Sequence, residues 1–467
     1  MSSIKKNFTY NLIYQILTLI LPLVTTPYLS RVLGAEKTGI YSYSYSVANY
    51  FVLFAMLGLN NYGNREIAKV KDNIEERSII FWSIYFLQLI TGGFSTIIYI
   101  IVCLMCRNSQ INWIMSLYVL SGLFDINWFF WGMEEFKITV SRNIIIKLVT
   151  VAGILLLVKS PDDLWIYAVL MAGSMLVSPL ALWPYLSKRI YWIKPSLRQI
   201  LLHFKPNLVL FIPVIAVSLY KIMDKIMLGW MTTYIEVGYY EYSERVIAIP
   251  NSLVNALGTV MLPRMSNLVA KNDTTQELSI IKNSVILGTG IAAAMSFGLI
   301  GIADVFVPFF YGAEYIKCVI LFYVLLPSSI FISAANIVRT QYLIPHGMDK
   351  EYTQSVALGA VVNLAVNTLL IPSLQSVGAA IGTTMAEFIV CIYQFICVRK
   401  KLPVQGYIIE IFYVTVAAIV MMSVVYIIPF MGNYIITIGI KVVIGVLVFA
   451  IMMILRYVNL ITQIMHK

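Results

Sequence analysis

Apolar runs long enough to cross a bilayer recur along the whole chain, and they limit its fold more than any other feature. A helix spanning the hydrocarbon core needs about 20 mostly apolar residues. Fourteen candidate spans meet that length, at 10–30, 38–60, 79–105, 110–133, 138–158, 164–187, 206–231, 238–262, 283–311, 317–337, 354–374, 377–398, 408–429 and 433–455. Even the longest connections, 61–78, 188–205 and 263–282, are too small for a soluble domain. Lipid admits only helices and closed barrels, and a barrel would alternate polar and apolar residues over ~10-residue segments. These runs do not alternate, so the sequence predicts an all-α integral membrane protein. Composition agrees, with 60% hydrophobic and 12% charged residues, against about 25% charged in soluble domains. A water-soluble enzyme and a disordered chain are both excluded.

Loop charge sets the orientation, because Lys and Arg favour the cytoplasmic side. With the N-terminus on side one, 23 of the 33 Lys and Arg fall on that side, among them Lys5, Lys6, Arg65, Lys69, Arg142, Lys188 and Arg399. Only five, Arg31, Lys37, Arg107, Lys159 and Lys317, fall on the other. One missed or invented span near the middle would swap the downstream loops and erase the bias. Both termini are therefore predicted in the cytoplasm. The bias also explains the net charge of +11 without nucleic acid, and the basic rim can attract anionic lipid headgroups. The run after Lys5 and Lys6 is too long for a signal peptide and lacks a clear cleavage motif. Cys103 and Cys106 form a C-x-x-C with no second pair, and His203, His346 and His466 are scattered. No metal or bound cofactor is expected.

The chain repeats itself. Gly39-Ile40-Tyr41-Ser42-Tyr43-Ser44 opens the second span, and Gly238-Tyr239-Tyr240-Glu241-Tyr242-Ser243 opens the eighth, with Val47 and Val246 at the same offset. Copies six spans apart have the same orientation, as in repeats related by an axis along the membrane normal. This predicts two six-helix lobes, 1–200 and 201–402, facing a central cavity, with 403–467 as two appended helices. Such lobes move cargo by alternating access.

Ionisable groups inside spans are costly and mark water-filled paths or binding sites. Asp125, Lys147, Lys221, Asp224, Lys225, Glu241, Glu244, Arg245, Asp304, Glu387 and Lys441 are such groups. Lys221, Asp224 and Lys225 share one helical face through i, i+3, i+4 spacing, and Glu241, Glu244 and Arg245 repeat it on the next helix. At similar depth, the two faces are expected to meet or to line one cavity. They form either an ion network locking the helices or part of a solute path. The acids Asp125, Asp224, Glu241, Glu244, Asp304 and Glu387 are candidates for coupling or gating, with a proton or sodium gradient as the energy source. Lys441 is expected to snorkel to the interface. Tyrosines at 41, 43, 45, 50, 239, 240 and 242 read as interface anchors or as platforms for a sugar. Asp162-Asp163, the one adjacent aspartate pair, reads as a solvated turn rather than a catalytic pair, so no enzyme is expected.

Four stretches carry a family resemblance. They are Thr26-Pro27-Tyr28-Leu29-Ser30-Arg31-Val32-Leu33-Gly34, Leu57-Gly58-Leu59-Asn60-Asn61-Tyr62-Gly63-Asn64-Arg65-Glu66-Ile67-Ala68, and Asp224-Lys225-Ile226-Met227-Leu228-Gly229 with Met261-Leu262-Pro263-Arg264. Together they resemble the Wzx-like polysaccharide-biosynthesis flippases of the multidrug/oligosaccharidyl-lipid/polysaccharide exporter superfamily. The resemblance implies flipping of undecaprenyl-diphosphate-linked oligosaccharide units across the bacterial cytoplasmic membrane, for O-antigen, capsule or exopolysaccharide. It also implies work beside a polymerase and a chain-length regulator. A sugar–diphosphate head is anionic, so Arg31, Lys147, Lys221, Lys225 and Arg245 are the candidates to shield it. A cation-coupled drug or metabolite antiporter and a peptidoglycan-precursor flippase share the architecture and remain alternatives.

Overall fold

The computed structural model of the chain describes the backbone of residues 2–105 and 110–465, and the side chains of 21–105, 110–212, 214–219 and 221–457. Cys106, Arg107, His466, Lys467 and the side chains of Lys5, Lys6 and Pro213 lie outside the described residues. Among the described residues every regular element is helical. The chain divides into two compact units, Met1–Ile226 and Met227–Lys467.

The first unit holds α1 (Ser2–Met56), α2 (Leu59–Lys69), α3 (Ile74–Met105), α4 (Gln110–Phe124), α5 (Asn127–Gly132), α6 (Phe136–Leu157), α7 (Leu164–Leu180), α8 (Leu197–Leu202) and most of α9 (Phe204–Met231). The second holds the end of α9, then α10 (Tyr234–Ala270), α11 (Thr274–Phe310), α12 (Lys317–Leu325), α13 (Ser328–Val338), α14 (Asp349–Leu374), α15 (Ser376–Val398), α16 (Val404–Ile427) and α17 (Tyr434–Met465). Among the described residues, eleven helical stretches are long and apolar enough to cross a membrane. The other three expected spans fall on α1 and α9.

The structure departs from the sequence reading at connections. Residues 31–37 are not a loop. Helix continues on both sides of Gly34, whose φ of 73° and ψ of 176° divide α1 into two segments. That backbone is open essentially to glycine alone. The connection 61–78 carries α2, whose Leu59, Tyr62, Gly63 and Ile67 are buried while Arg65 and Lys69 stay exposed. The span 110–133 is broken after Phe124. There Asp125 Oδ1 accepts from the Asn127 amide (2.9 Å) and side chain (2.6 Å), a local bond that competes with the helix. Gln88 then donates to the carbonyls of Gly122 (2.7 Å) and Asp125 (2.9 Å) that the break releases, as a dry environment demands. The span 317–337 extends to Leu343 through a π-turn over Arg339–Leu343.

Lipid supplies no hydrophobic force between helices, so close approach depends on small residues. On α15, Gly378 and Gly382 lie four residues apart against α14. A Cβ at Gly378 would stand 2.5 Å from the Leu370 carbonyl oxygen. In the first unit, Gly63 leaves room for the Trp128 ring and Gly132 for Ile67. The stretch Leu57–Ala68 that carries the family resemblance thus packs α2 onto α5.

Candidate functional site

The repeat positions play matching roles, each inside its own unit. Tyr41 and Ser44 are buried in the first, Tyr240 and Ser243 in the second. Tyr41 packs its ring 4.6 Å from Tyr167. Tyr240 shares a hydrogen bond with Thr383 (2.8 Å), and Tyr242 packs against Tyr311 and Tyr315. Tyr41, Tyr240 and Tyr242 are therefore not interface anchors. Their rings fill the cores, where the hydroxyl needs a partner and the ring supplies area.

In the first unit the break at Asp125 organises a polar network inside the membrane. Arg142, by sequence one of the inner-rim cations, is 9% exposed. Its guanidinium reaches the Ser178 carbonyl (2.7 Å), Asn127 Oδ1 (3.0 Å) and Asn143 Oδ1 (2.6 Å), and its charge acts on Asp125. Trp128 donates to Gln88 Oε1 (3.1 Å) at the other edge of the break. Asp125 is thus linked to Arg142, a partner that span counting hid because Arg142 lies near a span end. Lys147 is half-buried on α6, and Arg31 is exposed on α1, donating to the Pro27 carbonyl (3.1 Å). On α9, Lys221 is exposed, Lys225 half-buried and Asp224 buried at 1% exposure. The charge of Asp224 acts on Tyr50, whose hydroxyl donates to the Ser218 carbonyl (3.0 Å).

At the start of α9, outside the spans, His203 Nδ1 meets the Tyr62 hydroxyl at 2.6 Å. Burial pushes the Tyr62 phenol up to about 12. Burial also holds the His203 imidazole below its ordinary value, against the opposing pull of Glu66. Burial raises Glu66 less than its bonds to Lys69 and Arg65 lower it, so it stays below the usual carboxylate range. Because the unfolded chain binds the His203 proton more readily, stability is full above pH about 6.5 and falls as pH drops below it. Thermal unfolding between pH 7 and 5 should show a larger drop for the wild type than for His203→Asn. Parallel curves would refute the linkage.

In the second unit, Arg245 pairs with Glu241 (2.9 Å) and lies over the Tyr242 ring at 5.1 Å. Glu244 and Glu387 are half-buried on α10 and α15. The two predicted triads thus belong to different units, Lys221, Asp224 and Lys225 to the first and Glu241, Glu244 and Arg245 to the second. Lys441 does not snorkel. It is 1% exposed and faces Asp304 Oδ1 at 3.6 Å, because α17 packs onto α11 there and offers the ammonium a counter-ion.

Sequence reading missed two arrangements. Glu236, 6% exposed, accepts from Lys317 Nζ (2.7 Å) and from the hydroxyl (2.5 Å) and amide (3.2 Å) of Ser376. This one carboxylate joins the N-terminal ends of α10, α12 and α15. Asn363 and Asn367 are also buried, with Asn367 Nδ2 donating to Asn363 Oδ1 (3.2 Å). Asparagines four residues apart in an apolar span were the available signal for the second. Nothing local could give the first, since its partners lie up to 140 residues apart. Among the described residues, no group of three or more His, Cys, Asp or Glu side chains could hold a metal ion. Asp163 caps the short turn after Ser160, accepting from the amides of Lys159 (2.9 Å) and Ser160 (2.8 Å).

Membrane-crossing helices in two compact units, each with ionisable groups held inside the apolar region, define a multi-pass membrane transporter. The chain belongs to the polysaccharide biosynthesis protein family, which matches it over residues 4–269. It is 25% identical to a "Putative O-antigen transporter" of Escherichia coli K12, over 85% of this chain and 97% of that one. It is also 25% identical to a "Probable low-salt glycan biosynthesis flippase" of Haloferax volcanii, over 53% of this chain and 52% of the relative. Its fold matches that of lipid II flippase MurJ in an inward closed conformation, with a TM-score of 0.76 at 16% identity, covering 97% of this chain and all of the other. A multidrug resistance transporter of the MATE family in an inward-facing conformation follows with a TM-score of 0.56 at 14% identity, covering 83% of this chain and 98% of the other.

Proposed function

We propose that this protein flips undecaprenyl-diphosphate-linked oligosaccharide units from the cytoplasmic to the outer leaflet of a bacterial cytoplasmic membrane, for assembly of a surface polysaccharide. The observation that carries the reading is family membership over residues 4–269 combined with a flippase fold along 97% of the chain. Chemistry supports it. A sugar–diphosphate head cannot cross hydrocarbon unaided, and the described spans hold cations at positions 147, 221, 225 and 245. In this reading Arg31, Lys147, Lys221, Lys225 and Arg245 shield the diphosphate, while the prenyl tail stays in lipid. Asp125, Asp224, Glu241, Glu244, Asp304 and Glu387 couple or gate the cycle, with a proton or sodium gradient as its source of energy. The lobes 1–200 and 201–402 rock about the cargo, with 403–467 appended. Both termini lie in the cytoplasm, and a polymerase and a chain-length regulator receive the flipped unit.

The test is the sidedness of the lipid-linked oligosaccharide in membranes with and without the protein, in a host whose other flippases are deleted. The unit should reach the outer leaflet only when the protein is present. Asp224→Asn and Lys225→Gln should each abolish export while protein abundance in the membrane is unchanged. Normal polymer in both variants would defeat the site assignment. Unchanged sidedness with the wild type would defeat the function, and ethidium efflux would then favour antiport.

A further inference from the structure

Between Asp163 and Asp224 the chain contains no acidic residue. The connection from α7 to α9 lies inside that stretch and carries Lys188, Arg189, Lys194 and Arg198, with Lys205 following in the first turn of α9. Arg189 is neutralised by Glu135, at 2.6 Å. The other four are exposed and make no ion pair among the described residues. Large apolar side chains are interleaved with them. Trp192 is 65% exposed and Tyr191 61%, and Leu197, Leu201 and Leu202 are exposed to a similar degree.

This surface is built and held in place. The Tyr191 amide donates to Ser78 Oγ (2.9 Å), and Trp82 donates to the Tyr191 carbonyl (2.9 Å). Arg77 donates to the Arg189 carbonyl (3.0 Å). The Trp192 ring meets Trp82 edge-on at 4.3 Å. All of these partners lie on the first turns of α3. The connection is therefore fixed at the end of a membrane helix, with both of its own ends running into others.

We propose that residues 188–205 form an anchoring surface for the anionic phospholipids of the leaflet they face. Amphipathic segments that bind such a leaflet place aromatic and leucine side chains at the headgroup–acyl boundary and Lys or Arg among the phosphates. This connection offers both and has no carboxylate to repel a phosphodiester. A protein partner would leave the exposed leucines in water whenever it dissociated, whereas lipid covers them continuously. Each Lys or Arg near an anionic surface contributes about 1 kcal/mol, roughly fivefold in local concentration. Four together support a clear preference for anionic over zwitterionic lipid. The surface works independently of the cargo, so it stands or falls separately from the proposed flipping.

The test uses the whole protein in vesicles and reads Trp192 as the fluorescence difference between the wild type and Trp192→Phe. Equimolar phosphatidylglycerol and phosphatidylcholine are compared with the bromine quencher carried on one lipid or the other. Brominated phosphatidylglycerol should quench the Trp192 signal at least threefold more strongly at low salt. The preference should collapse in 0.5 M NaCl, where the Debye length is only a few Å. It should also collapse in the variant K188Q/K194Q/R198Q/K205Q. The salt arm needs no mutation and stands even if that variant folds poorly. Equal quenching by both lipids, or quenching by neither, overturns the proposal. Loss of the preference on adding millimolar inorganic pyrophosphate at matched ionic strength overturns it too, and would assign the surface to a soluble phosphate ligand.

Discussion

Gly378→Ala should remove most of the folded protein from the membrane. The added methyl would stand 2.5 Å from the Leu370 oxygen, 2.6 Å from the Leu370 carbonyl carbon and 2.9 Å from the Ile371 nitrogen. All three are backbone atoms of α14. A side chain could rotate away, but a helix backbone can move only as a whole. The two helices would have to separate along their length, with the loss of dispersion contacts that this implies. Overpacking costs about 1–3 kcal/mol and occasionally more, and a clash with helix backbone falls at the upper end, a large share of the stability of any domain. Gly382→Ala repeats the conflict more mildly, because its methyl would strike Asn367 Oδ1 at 2.0 Å. Pairing it with Asn367→Ala should restore part of the loss, and additive losses would show that the contact is not the cause. Gly93→Ala is the control, since nothing lies within 4 Å of its added methyl. It should gain up to about 1 kcal/mol from helix propensity. Thermal midpoints and membrane abundance measure all four, and a Gly378→Ala protein as stable as the wild type would show that the hairpin is not packed this way.

The second large effect is expected at Glu236. Its carboxylate is buried and satisfies Lys317 and both donors of Ser376. Glu236→Ala leaves an ammonium without its counter-ion and a first-turn amide without an acceptor. Breaking a buried pair from one side costs about 3–5 kcal/mol. Lys317 is 29% exposed, so the lower end of that range applies. Glu236→Gln keeps an acceptor for Ser376 and should lose only part of this. Lys317 also donates to Gln375 Oε1 (2.8 Å), and Gln375 sits at φ 54° and ψ −129°. A non-glycine residue there is strained by about 1–3 kcal/mol. Gln375→Gly should therefore raise the thermal midpoint in the wild-type background, and by less in Glu236→Ala, where Gln375 is the acceptor left to Lys317. A Glu236→Ala midpoint within a degree of wild type would refute the clamp.

Much of this was legible in the chain. The apolar runs placed the helices because span length is set by bilayer thickness, whatever the neighbours are. The i, i+4 spacing of Glu241 and Arg245 put the two charges within reach, and the structure pairs them. The connections were read less well. The single-residue break at Gly34 and the interruption at Asp125 depend on one φ angle and one side-chain cap. A hydropathy run does not register either. Lys441 departs from the snorkelling expectation because snorkelling assumes that no counter-ion is near. Asp304, 137 residues away in sequence, supplies one only after α11 and α17 pack.

By itself, then, the sequence determined what lipid must dictate residue by residue. That covers the helical class, the approximate places of the spans, the bias of basic loops, the internal repeat and the family motifs. Tertiary structure alone decided which buried charges have partners, as with Glu236, Lys317 and Ser376, or Arg142 beside Asp125 and Asn127. It also decided which glycines leave no room for a Cβ. The reason is physical. Burial in lipid depends on each segment's own composition, whereas ion pairs and backbone contacts depend on which distant segments the fold brings within a few Å.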